Sequence, residues 1–231
     1  PLNVPSHRQG SVLMMMPFAG DESVIKPHFG YRYDQEKTAP YRYSVLLDDF
    51  MIAVDYAPAE HSAIFGCTFE QTGGRYIQLR TAGGELHGEG NALWGWDTYH
   101  GIKHYFYMEF DEAPETVSGT NGDAIRYATF SPSTGPSTIK ARYGVSYIDS
   151  EQAKRHMLNE IKEYDIDAIA EAGREAWNKT LGKIRVEGGT EDERTTFYTA
   201  LYRCHERMIN ISEEGRYFSG FDKQIHNDEG E

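Results

Sequence analysis

From Ser11 to Asp149 apolar and polar residues alternate in short runs. In IKARYGVSYI, Ala141, Tyr143, Val145 and Tyr147 fall on one side, and Lys140, Arg142, Gly144 and Ser146 on the other. In KHYFYMEF, Phe106, Met108 and Phe110 oppose Tyr105, Tyr107 and Glu109. Successive side chains of a strand point to opposite faces, so a period of two predicts half-buried strands. YSVLL, MIAVDY, SAIFGCTFE, RYIQLRT and AIRYATF extend the series. Asp48-Asp49, Pro58, Gly73-Gly74, Gly83-Gly84, Asn121-Gly122 and Pro132 to Pro136 punctuate it as turns, and GGELHGEGN reads as a Gly-rich hairpin. Many short strands at such spacing predict a mainly β fold, an antiparallel β-sandwich or a barrel.

At Asp149 the period changes. Asp149 with Gln152 predicts a capping-box start, and Ala153, Met157, Leu158 and Ile161 form a helical stripe. A second helix is expected from Asp165, with Ile166, Ile169, Ala170, Gly173, Ala176, Trp177 and Leu181 along one face. KIRVEGG reads as a short strand. Thr190 with Glu193 predicts another capping box, opening a helix whose face carries Phe197, Ala200, Leu201, Cys204 and Met208. The polar, Gly-rich segment that follows closes no core, so this last stripe either packs on the sandwich's own flank or belongs to a helical domain that would cover it. The expectation is a sandwich over residues 1–149, linker helices and a short strand over 150–189, and the start of a helical domain over 190–231. PLNVPS reads as mid-chain sequence.

Composition narrows the function classes. The chain has 231 residues and a net charge of −13, with no Lys/Arg cluster. Affinity for nucleic acid needs a basic footprint, so no nucleic-acid partner is expected. No apolar run approaches the ~20 residues of a membrane helix. Cys67 and Cys204 lie far apart and do not make a disulfide framework.

Chemistry-bearing motifs are sparse. His100 and His104 lie four apart outside any predicted helix, and Cys204-His205-Glu206 point in different directions from one, so no metal ligand set is expected. No nucleophile elbow, P-loop or dinucleotide fingerprint occurs. Hydrolysis of a glycoside requires two carboxylates, but 36 acidic residues nominate no pair. LWGWDTYHG offers Trp94, Trp96 and Tyr99 as candidate aromatic platforms for a sugar ring, or as core and sheet-edge cover.

The order of motifs resembles glycoside hydrolase family 92, the exo-acting α-mannosidases. YGVSYIDSEQAKRHMLNEI resembles the family's final sandwich strand running into its first linker helix. The block with Trp177, Asn178, Leu181, Ile184, Val186, Gly188, Gly189, Thr190, Phe197, Tyr198, Leu201, Tyr202 and Arg203 is similar to the family's Trp-Asn to Leu-Tyr-Arg run. Pro5 and Ser6, followed by a strand ending in Met16-Pro17, resemble the family's Pro-Ser loop. His7 and Arg8 stand where many relatives carry an aromatic residue.

The resemblance implies a galactose-mutarotase-like supersandwich, linker helices and an (α/α)6 catalytic domain in the same polypeptide. It implies calcium-dependent, inverting removal of terminal α-mannose from α-mannosides or N-glycans, in a secreted or periplasmic enzyme. Acid, base and calcium ligands are expected beyond this chain, so no catalytic or metal residue is carried over and the chain alone is expected to be inactive. Ser6, His7 and Arg8 of the first loop, and Asp222 and His226 of the final segment, are the substrate-proximal candidates. The alternative is a free-standing carbohydrate-binding sandwich module built on Trp94, Trp96 and Tyr99.

Overall fold

The computed structural model of the chain describes residues 13–24, 31–118, 124–205 and 210–229. Twelve strands come first: β1 (Met14–Gly20), β2 (Tyr33–Ala39), β3 (Arg42–Leu47), β4 (Ile52–Pro58), β5 (Ser62–Phe69), β6 (Gly73–Arg80), β7 (Glu85–Glu89), β8 (Ala92–Tyr99), β9 (Ile102–Phe110), β10 (Thr116–Val117), β11 (Ile125–Ser133) and β12 (Ser137–Ser146). Helices α1 (Ser150–Glu160), α2 (Ile166–Leu181) and α3 (Glu191–Arg203) follow, then three short strands, β13 (Ser212–Glu213), β14 (Arg216–Phe218) and β15 (Ile225–Asn227).

The strands form an antiparallel sandwich. The wide sheet runs β2-β3-β4-β5-β12-β9-β8-β7 and the narrow one β1-β6-β11-β10. Between them lies a core in which Phe18, Ile52, Phe69, Ile77, Leu79, Phe106, Phe110 and Phe130 are fully buried. Each such side chain contributes about 1.5–3 kcal/mol relative to leaving it in water. The expected sandwich is therefore the observed fold. Pro17 sits inside β1, which continues past it to Gly20. Among the described residues β1 pairs only with β6, and an edge strand tolerates a residue that cannot donate to a ladder.

Alternation fails where the wide sheet is covered on both sides. β5 is buried along nearly its whole length. Phe65, Cys67 and Phe69 face the inter-sheet core, whereas Ile64 faces a second cluster with Ala57, Ile161 and Ala170 beneath α2. α1 lies across β12, β9 and β5, burying Ala153 and Met157 against Ala92 and Tyr107. Gly144 is the seat of this helix, because a Cβ there would overlap the Ala153 carbonyl oxygen. The residues opposite Tyr143 on β12 thus face a helix rather than solvent. Arg142, also on that face, donates from Nη1 to the carbonyls of Ile161 (2.6 Å) and Lys162 (2.9 Å), and from Nη2 to Glu109 (2.8 Å). A cation at carbonyls that close a helix complements the negative end of its dipole.

α1 and α3 start where the capping pattern predicts, with one difference. Asp149 accepts from the Gln152 backbone N–H at 2.6 Å, but the Gln152 side chain turns to His156 (2.9 Å) instead of back to the cap. Thr190 and Glu193 form the full capping box. KIRVEGG is not a strand. Residues 183–189 are turn and irregular backbone, Ile184 is about half exposed, and no described strand lies beside them to pair with. A strand without a ladder partner leaves its amides to water and has no reason to extend.

α3 has the expected stripe, and among the described residues nothing buries it. It contains no buried residue; Phe197 is 37% exposed, and Ala200 and Cys204 are also exposed. Its contacts come mainly from Trp177 of α2, whose ring meets Tyr202 edge-on at 4.9 Å and His205 at 6.0 Å. Met208 lies outside the described residues.

Candidate functional site

The final polar, Gly-rich segment forms a small three-stranded antiparallel sheet, β13-β14-β15, fastened to the sandwich by polar contacts. Glu213 of β13 is 1% exposed. Its carboxylate accepts from the Ser146 hydroxyl and, at 2.8 Å, from the Tyr147 backbone N–H, where β12 ends. Arg216 of β14 donates to Gln152 Oε1 at 2.7 Å, and Arg155 donates to the same oxygen. Gln152 then gives its amide hydrogen to His156 Nε2, because His156 Nδ1 is committed to the Val145 carbonyl at 2.9 Å. His61 lies over the His156 ring with centroids 4.4 Å apart. Glu214, in a turn with positive φ, accepts from Arg155 (3.3 Å) and Asn159 (2.9 Å).

This fastening holds the Ser219–Gln224 turn at the end of the sandwich, next to the β8–β9 turn. A Cβ on Gly101 would lie 3.9 Å from Lys223 Nζ, and one on Gly220 equally far from Ile102 Cδ1. His100 and Lys223, one from each turn, both have positive φ without being glycine. Such backbone persists where surroundings over-determine it. On the turn, His226 Nε2 meets Asp222 Oδ2 at 2.8 Å, and the His226 ring stacks on Tyr217 at 5.5 Å. The Gln224 backbone N–H, the Ser219 hydroxyl and His226 together hold the Asp222 carboxyl below the usual carboxylate range. Phe221, beside the pair, is fully exposed.

The structure brings together Asp222 and His226, two of the five substrate-proximal candidates. Ser6, His7 and Arg8 lie outside the described residues. The aromatic candidates do not form one plane. Trp94 and Trp96 share the α1-side face of β8, while Tyr99, at odd spacing, takes the other and meets His100 edge-on at 4.2 Å. Trp94 stands in a row with His87 and Tyr107, its neighbours across the sheet. The Lys103 ammonium sits 4.0 Å over the Trp96 ring.

Among the described residues no group of three or more His, Cys, Asp or Glu comes together to hold a metal ion. His104 approaches the Tyr147 ring (4.8 Å), and burial pushes its pKa down. Cys67 is buried and Cys204 exposed, and both are free thiols. No helix among the described residues is long and apolar enough to cross a membrane. What sequence reasoning missed is the Glu213–Gln152–His156 fastening. An apolar stripe advertises helix docking, whereas hydrogen bonds between residues some sixty positions apart leave no periodic signal.

The class defined by this architecture is a β-sandwich domain that carries helices on one face, followed by a helix with no buried residue and a small docked three-stranded sheet. Residues 5–146 match the glycosyl hydrolase family 92 N-terminal domain, and residues 152–231 match the glycosyl hydrolase family 92 catalytic domain. The chain belongs to glycosyl hydrolase family 92.

Solved structures share the fold. An inverting mannosidase of this family from Bacteroides thetaiotaomicron superposes with a TM-score of 0.78 at 24% identity, over 93% of this chain and 33% of its own. An α-mannosidase of the family from the same organism gives 0.83 at 17% identity, over 94% of this chain and 35% of its own. The chain thus spans about a third of the length of these structures. An uncharacterized secreted glycosidase from Arthroderma benhamiae is 35% identical over 75 residues, 31% of this chain and 10% of that protein.

Proposed function

We propose that this chain is the N-terminal sandwich and interdomain segment of an exo-acting α-mannosidase, which removes terminal α-mannose from α-mannosides or N-glycans. The observation that carries the reading is the succession of the two family matches, meeting at the start of α1, with no buried residue on α3 inside the second match. The names of the solved neighbours, one an inverting mannosidase and another an α-mannosidase, support the substrate and the stereochemistry. An (α/α)6 catalytic domain in the same polypeptide supplies the acid and base and covers α3. The reaction inverts the anomeric centre, with a water attacking opposite the leaving group between two well-separated carboxylates.

The described residues do not fit a calcium site. Any calcium the enzyme uses takes its ligands elsewhere, and no step is assigned to it through this chain. With the acid and base assigned to the catalytic domain, the 231-residue chain alone is expected to be inactive. The enzyme works outside the cytoplasm, in keeping with a relative described as secreted.

The test compares this chain with a longer product of the same coding sequence. The longer protein is expected to release mannose from an aryl α-mannoside, with β-mannose as the first anomer seen by proton NMR and with loss of turnover in a chelator. The 231-residue chain is expected to release none. A longer protein inert toward every α-mannoside, or turnover by the short chain, would overturn the assignment. Mannoside binding by the short chain on the Trp94–Trp96 face, abolished by Trp94→Ala, would favour a carbohydrate-binding module.

A further inference from the structure

The Ser219–Gln224 turn combines three features that a structural brace does not need. The small sheet that carries it is fastened to the sandwich through the buried Glu213 carboxylate and the Gln152–Arg216 contact. It presents a paired His226 and Asp222 at its surface. Beside them Phe221 is wholly in solvent, at 103% relative exposure, although its burial anywhere would be favourable.

The pair has a defined chemistry. The Asp222 carboxylate accepts hydrogen bonds only, so His226 donates its Nε2–H to it. In the neutral ring Nδ1 then carries the lone pair, and among the described residues it has no hydrogen-bond partner. A carboxylate that fixes the tautomer and orientation of an imidazole leaves the second nitrogen aimed and available. The Tyr217 ring stacked on His226 restrains the same orientation from the side. Charge on the turn nearly cancels, with Asp222 opposed by Lys223. Combined with the −13 charge of the chain, this favours a neutral ligand over an anion. A lone-pair acceptor next to an exposed phenyl ring suits a polyhydroxylated ring, with a hydroxyl to donate and a C–H face to lay on an aromatic.

We propose that Asp222, His226 and Phe221 form a sugar-contacting site on this domain: His226 Nδ1 accepts from a hydroxyl of the α-mannoside, and Phe221 packs on the C–H face of a sugar ring. Asp222 is the positioning residue. Glu213 acts further back, keeping the turn in register with the end of the sandwich. The inference rests on the mannosidase reading for the identity of the sugar, while its geometry belongs to this chain alone.

Two measurements test it. In the longer enzyme, His226→Ala and Phe221→Ala are each expected to raise KM for an aryl α-mannoside roughly 3- to 10-fold, the size of one lost hydrogen bond or ring contact, with kcat within about twofold. Asp222→Asn should raise KM less and alter its pH dependence, and Glu213→Gln should raise it without touching the pair. Phe221 and Asp222 are exposed and His226 is half-buried, so the melting temperature of the first three variants should stay close to the parental value. In the 231-residue chain, methyl α-mannoside should move the ring 15N signals of His226 and leave those of His156 in place. Unchanged KM in all variants of an enzyme that does release mannose would overturn the site while leaving the mannosidase reading intact. A wild-type enzyme that releases no mannose would overturn that reading, and the NMR arm, repeated with methyl glucoside and galactoside, then decides the site. His226 signals unmoved by every sugar would overturn it.

Discussion

α1 and α3 are built on the same plan and end in opposite states. Both start at a side-chain cap, Asp149 in one and Thr190 in the other, and both carry an apolar stripe at helical spacing. Along α1, Ala153 and Met157 are fully buried, as is Ile161 at its cap, because Gly144 lets the helix settle onto β12. Along α3 nothing is buried. Caps and periodicity therefore decide that a helix forms and which side is apolar. Whether that side is covered depends on what the fold places opposite it.

The largest test of this contrast is at the seat. Gly144→Val drives two methyl groups into the Ala153 carbonyl and should cost several kcal/mol in chemical denaturation, at or beyond the usual 1–3 kcal/mol of overpacking. Met157→Ala, which leaves a cavity beneath α1, is expected to cost about 2–5 kcal/mol, whereas Phe197→Ala on α3 should fall within about 0.5 kcal/mol. Equal losses at Met157 and Phe197 would erase the distinction between the two helices.

A smaller effect sits at the α3 cap. Thr190→Ala removes the acceptor for the Glu193 backbone N–H and should weaken α3 by about 0.5–2 kcal/mol, seen as faster amide exchange over 191–203 with α1 unaffected. The cap also depends on pH. The Thr190 backbone N–H and hydroxyl hold the Glu193 carboxyl below its ordinary value. A depressed carboxylate stabilises above its unfolded pKa and loses that contribution as pH falls through the folded one, so α3 exchange should quicken in acid before α1 responds.

The mildest probe leaves stability untouched. Burial pushes the Cys67 thiol up to about 12, so it stays protonated and shielded at neutral pH, while Cys204 at the end of α3 is exposed. A thiol reagent at mildly alkaline pH should label one cysteine in the native chain and two in denaturant. Rapid native labelling of both would mean that the sandwich opens as easily as α3.

Much of the architecture is legible without coordinates. β3, β4, β5, β6, β9, β11 and β12 follow from short strand-like runs bounded by turn residues, the β7–β8 hairpin from its glycines, the starts of α1 and α3 from their caps, and α2 from its apolar spacing. β2, exposed and polar, carries no such pattern and escapes the reading. The candidate pair Asp222 and His226 stood out only through a resemblance; that the two residues touch, and that Glu213 holds their turn from behind, could not be inferred from spacing.

Local rules suffice for what local physics decides: the strand period, the capped starts of α1 and α3, and the apolar side of each helix. Tertiary structure alone decided that β12 turns its polar-looking face to a helix, that Trp94 and Trp96 part from Tyr99, and that a polar tail is pinned by a buried carboxylate. The reason is that periodicity reports a preference for burial, whereas partners are chosen by topology. Hydrogen bonds across distant segments exist only once the chain has brought their donors and acceptors together.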